Sequence, residues 1–137
     1  MIKTLLFIDS SINIGDNNDA RIEQYKNGFK SLFKHINFFR SNNIDLLWVD
    51  NTISSLDEIN MLKEYIHLDN IKIILGKNNY YGNKNNGAGN FTHWRMGIDV
   101  WKNYDYIINF EARQVLVNTF FFEEFLREPM SMFSWAH

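Results

Sequence analysis

Apolar residues along this chain follow two spacings. Lys3 to Asp9 (KTLLFID) and Ile44 to Asp50 (IDLLWVD) are unbroken apolar runs, each closed by an acid. That is the pattern of a strand covered on both faces, as in a parallel sheet. Ile71 to Leu75 and Tyr104 to Phe110 read as two further strands. Elsewhere the apolar positions recur at steps of three and four. Ile22, Tyr25, Phe29, Leu32, Phe33, Ile36 and Phe39 predict one amphipathic helix from Ala20 to about Arg40. Ser55 with Glu58 three residues later matches a capping box, opening a second helix with Leu56, Ile59, Leu62 and Ile66 inside. Phe91, Trp94, Ile98 and Trp101 mark a third, from about Asn90 to Lys102, and Val115 to Leu126 reads as a fourth, stopped by Pro129. The tail MSMFSWAH is too short to classify.

Strands alternating with helices predict an α/β fold: a doubly wound, mainly parallel sheet with helices on both faces. Ligands in such sheets bind outside the carboxyl ends of the strands, near the point where the winding reverses. That edge receives Asp9 and Ser10, then Asp50 and Asn51, then the polar loop Gly76 to Gly89, then Asn109, Glu111 and Arg113. A polar loop of that length inside a compact chain is a functional candidate.

Composition narrows the picture. A chain of 137 residues has room for one domain over 1–137. Its formal net charge of -2 argues against a general electrostatic grip on nucleic acid. The absence of cysteine removes disulfides, thiolate metal sites and cysteine nucleophiles. The opening apolar run is short for a signal peptide, and no stretch approaches the ~18 apolar residues of a membrane span, so a cytoplasmic protein without a membrane span is expected. The loop carries neither a P-loop nor a G-x-G-x-x-G pattern. His93 has no histidine or acid at ligand spacing and reads as structural. The aromatic run Phe120-Phe121-Phe122 reads as core, with apolar surface left near the C-terminal end that would suit self-association into a homo-oligomer.

The order of motifs resembles the nucleotide-binding half of a GT-A glycosyltransferase. The resemblance covers roughly residues 3 to 113. It rests on a second strand ending Val49-Asp50-Asn51-Thr52, the segment Asn85-Asn86-Gly87-Ala88-Gly89-Asn90, and the strand Tyr106-Ile107-Ile108-Asn109-Phe110. Glu111-Ala112-Arg113 falls where that family carries its Asp-x-Asp metal motif. The resemblance implies a nucleoside diphosphate sugar as partner. Its base would lie near Asp9, Ser10, Asp50 and Asn51, and its diphosphate near Asn86, Gly87, Gly89, Asn109 and Glu111. It also implies Mg²⁺ or Mn²⁺ on Glu111. Arg113 departs from the motif, because a guanidinium repels a divalent ion and can neutralise the diphosphate itself. Glu111 and Arg113 are then catalytic candidates, with Glu123 or Glu124 as the base. The chain ends soon after the fourth strand, without the acceptor-binding half. A non-catalytic nucleotide-sugar-binding module is therefore the alternative, and another α/β nucleotide-binding enzyme a third reading.

Overall fold

The structure, a computed structural model, describes residues 2–14, 19–78 and 86–130. In chain order these form β1 (Thr4–Ser10), α1 (Asp19–Phe33), α2 (Ile36–Ser41), β2 (Ile44–Asp50), 3₁₀ segments Leu56–Tyr65 and Leu68–Asn70, and β3 (Lys72–Leu75). Then come α3 (Asn86–Met96), α4 (Ile98–Trp101), β4 (Tyr106–Glu111) and α5 (Phe120–Arg127). The four strands make one parallel sheet in the order β3-β2-β1-β4. The chain therefore steps outward from β1 to β3 and then crosses back to the other side of β1. The reversal lies between β1 and β4, where Asp9 is paired with Glu111.

Side chains alternate across the sheet, so the two faces have separate cores. Leu6, Ile8, Leu46 and Trp48 pack with Tyr25, Phe29 and Leu32 of α1 and with Ile59 and Leu62 of the 3₁₀ segment. Trp48 is fully buried, with the Phe29 ring edge-on at 5.4 Å. Each such aromatic contributes about 1.5–3 kcal/mol by leaving water. On the other face Leu5, Phe7, Leu47 and Val49 pack with Met96, Val100 and Trp101 from α3 and α4. Gly97 permits that approach, since a Cβ there would stand 2.8 Å from Cε2 of Phe7.

Several elements differ from their sequence pattern. The single helix expected from Ala20 to Arg40 breaks at Lys34 and His35, so that α2 turns to cover the start of β2. Asn43, in the left-handed region at φ 56°, completes the turn into β2. The capping box at Ser55 and Glu58 is present, but the helix it opens is 3₁₀, with a non-helical Ile59 at φ -125°, ψ 34°. The third helix begins at Asn86, not Asn90, so the end of the expected polar loop is helical. Residues 115–118 are not helical, and α5 occupies only Phe120–Arg127. Asn85 and the tail beyond Met130 lie outside the described residues. Among the described residues no helix is long and apolar enough to cross a membrane.

Candidate functional site

The site is built at the carboxyl ends of β1 and β4. Asp9 continues the Leu5, Phe7 face, so its carboxyl leaves the sheet on the side of α3. Glu111, in register with it, leaves on the same side. The chain then turns tightly: the Ala112 amide donates to the Asp9 carbonyl (2.9 Å) and the Gln114 amide to the Glu111 carbonyl (2.9 Å). This turn carries Arg113 back to Glu111. The Arg113 Nε donates to Glu111 Oε1 at 3.1 Å, and its backbone amide to Oε2 at 3.2 Å. Burial opposes the Arg113 charge, but Glu111 outweighs it and holds the guanidinium above its ordinary range.

Helix α1 clamps the turn from the other side of the sheet. Gly28 lies so close that a Cβ there would meet the Ala112 carbonyl oxygen at 1.7 Å. One turn earlier, the Tyr25 ring has the Arg21 guanidinium at 5.4 Å from its centroid and that of Arg113 at 5.9 Å. The Tyr25 hydroxyl accepts from the Ser11 amide (2.8 Å) and from Arg21 (3.3 Å), while the Arg21 Nε donates to the Ser11 carbonyl (2.8 Å). Burial pushes the Tyr25 phenol up to about 12, so it stays neutral.

Asp9 is buried, and burial, reinforced by the charge of Glu111, pushes its carboxyl up to about 7. His93 of α3 stands over it, with Nδ1 3.9 Å from Asp9 Oδ2. Burial works against an ion pair at this contact. Burial lowers the His93 affinity for a second proton, as it raises that of Asp9, so both groups favour their neutral forms. The other ring nitrogen, Nε2, is 2.7 Å from the Ser10 carbonyl and 3.3 Å from the Ser11 hydroxyl.

Asp50 and Asn51, expected to touch a ligand, are instead fully buried braces. Asp50 Oδ2 accepts from the Ser10 hydroxyl (2.5 Å) and the Ile12 amide (3.0 Å), and Oδ1 from the Thr52 amide (2.7 Å) and hydroxyl (2.6 Å). Its acceptor positions are thus taken by protein donors. Asn51 accepts from the Ser11 hydroxyl (2.6 Å), and its carbonyl accepts from the Asn78 amide (2.8 Å). Ser10, also buried, takes a hydrogen bond from the Trp48 indole (2.7 Å) while donating to Asp50. These three residues hold the loop after β1 against the end of β2.

The remaining expected residues separate. Asn109 is exposed beside Asp9 and accepts weakly from the Trp94 indole at 3.4 Å. Asn86, Gly87 and Gly89 form the first turn of α3. Glu123 does not reach the site. Its neighbours Phe122 and Phe125 pack on Phe39 and on Tyr106, the first residue of β4, at the opposite end of the sheet, and its carboxylate accepts from Thr119 (3.1 Å). A divalent ion does not fit Glu111 as it stands, because both carboxylate oxygens are engaged by Arg113. Among the described residues no group of three or more His, Asp or Glu side chains is arranged to hold a metal. Thus the cluster joins Asp9, Asn109, Glu111 and Arg113 with Arg21 and Tyr25, expected only as parts of a helix, and with His93, expected to be structural. No protein family, curated protein or solved structure matches the chain.

Proposed function

We propose that this chain is a doubly wound, GT-A-like domain that binds a nucleoside diphosphate sugar in the crevice between β1 and β4. One observation carries the reading. Asp9 and Glu111 are paired in register at the point where the strand order reverses, with Arg113 turned back beside them. Ligands of open α/β sheets collect at that point. Arg113 keeps its outer guanidinium nitrogens for the diphosphate, since only Nε and the backbone amide go to Glu111. No metal is needed in this arrangement. In a transfer reaction the acceptor hydroxyl attacks the anomeric carbon, its proton passes to a carboxylate, and the nucleoside diphosphate leaves with the bonding electrons against the arginine.

A second reading, a binding module without transfer, is favoured by the same geometry. Glu111 is tied to Arg113, and Glu123 stands at the far end of the sheet, so neither offers a free carboxylate to an acceptor. Calorimetric titration with a panel of nucleoside diphosphate sugars, with and without Mn²⁺, tests the shared claim. Binding that is insensitive to EDTA and lost in Arg113→Ala supports it; failure to bind any member rejects it. Release of nucleoside diphosphate in the presence of acceptor alcohols then separates enzyme from binder.

A further inference from the structure

Two buried side-chain atoms beside the crevice have no hydrogen-bond partner among the described residues: Asp9 Oδ1 and His93 Nδ1. Buried polar atoms are rarely left so, because the loss of water is uncompensated. The protons on the ring can be assigned from its partners. Nε2 lies 2.7 Å from the Ser10 carbonyl, which only accepts, so Nε2 carries the hydrogen. The Ser11 hydroxyl near Nε2 is already directed at Asn51. A neutral imidazole with its hydrogen on Nε2 presents a bare lone pair at Nδ1, which lies 3.9 Å from Asp9 Oδ2, the unpartnered Oδ1 being the other oxygen of the same carboxyl. An acceptor thus faces an acceptor in a place that water does not reach.

We propose that Asp9 and His93 form a buried proton site, in which the Asp9 carboxyl holds one proton and directs it at Nδ1 of His93, the positioning residue. A single proton turns two unmatched acceptors into a donor and an acceptor. Closing the hydrogen bond needs a movement of about 1 Å to reach ordinary donor–acceptor distance. The neighbours favour the protonated form. Burial contributes most; from β4, Glu111 disfavours a second negative charge, while the Asn109 side chain and the Arg113 charge act the other way and are outweighed. From β2, the Asp50 carboxyl adds to the negative field around His93. From α1, Tyr25 stays neutral, and Arg21 is held against the Tyr25 ring with its Nε donating to the Ser11 carbonyl. The upward displacement of the Asp9 carboxyl to about 7 agrees with this geometry. The crevice is then close to charge-neutral with the proton present and carries an additional negative charge when it leaves. This inference goes beyond the nucleotide-sugar reading and does not depend on it.

The test is nuclear magnetic resonance of the whole chain with labelled histidine and aspartate, from about pH 5 to about pH 9. His93→Gln identifies the His93 signals. The expected result is a His93 ring that stays neutral with its proton on Nε2, while Nδ1 shifts in one step centred near neutrality together with one aspartate carboxyl. In Asp9→Asn the amide donates permanently to Nδ1, and the step disappears. A His93 that becomes imidazolium with an ordinary midpoint overturns the proposal, as does a step that survives in Asp9→Asn. If that variant does not fold, the wild-type carboxyl titration decides alone: no aspartate titrating above about pH 5 overturns the proposal.

Discussion

Asp9 and Glu111 stand opposite each other in register on adjacent parallel strands, so their carboxyl groups leave the sheet on one face. Two acids in such positions do not both ionise cheaply when one is buried. Burial of Asp9, reinforced by this pairing, makes the crevice sensitive to pH. The folded-state carboxyl of Asp9 lies near 7, against 3.8 for the ordinary group. Because the folded affinity for the proton is raised, the Asp9 contribution to stability is full below about pH 4 and is lost as pH rises through about 7. The difference corresponds to about 4 kcal/mol at most. Asp9→Asn is expected to gain stability relative to the parent between about pH 4 and about pH 7, read by urea denaturation at each pH. A constant difference across that window would refute the raised carboxyl.

Anionic ligands are coupled to the same proton. A nucleoside diphosphate beside Asp9 raises the proton affinity of its carboxyl further, so the complex holds more protons than the free protein. Affinity therefore falls as pH rises. If the ligand shifts Asp9 by about one unit, the expected weakening is about fivefold between about pH 6 and about pH 8. Titration calorimetry in buffers of different ionisation enthalpy would register the proton uptake directly. Affinity independent of pH would place the ligand away from Asp9.

Asp50 predicts a stability effect of a different kind. Its carboxylate accepts from Ser10, Ile12 and twice from Thr52, all inside the protein. Asp50→Ala leaves these donors without a partner and is expected to cost roughly 3 kcal/mol or more. Denaturant unfolding measures it. A loss below about 1 kcal/mol would mean that water or a neighbour replaces the carboxylate.

Gly28 links α1 to the position of Arg113. A Cβ at 1.7 Å from the Ala112 carbonyl oxygen meets backbone, which cannot rotate aside. Gly28→Ala must displace the helix or the turn and is expected to destabilise by about 2 kcal/mol or more. Because the turn carries Arg113, the same variant should weaken binding of nucleoside diphosphate sugars beyond any effect on the folded fraction. Parent-like stability and binding would show that the packing of α1 on the turn is looser than described.

Much of the scaffold was legible because the two central strands, β1 and β2, are continuous apolar runs buried on two faces, while the edge strands β3 and β4 are only partly buried. The acids that close β1 and β2 were legible as strand ends, but not in their roles. Asp9 became a protonatable group because the fold buries it and, second, because Glu111 lies beside it across a chain crossover. Asp50 became a brace because Thr52, two residues on, folds back onto it, a local turn that Asp50-Asn51-Thr52 already carried in the sequence. The break after Phe33 was hidden because Ile36 and Phe39 keep the helical period. The early start of α3 was hidden because Gly87 and Gly89 are poor helix formers. His93 was passed over because its partners come from β1, and nothing near it in sequence announces them.

The proposed place of a nucleoside diphosphate sugar is between β1 and β4. The most direct measurement is chemical-shift mapping of backbone amides while such a ligand is added. The predicted result is perturbation concentrated at Ser10, Ser11, His93 and Glu111 to Gln114, with α5 unchanged. Perturbation confined to α5 and residues 115–118, or none with any ligand of the class, would contradict it.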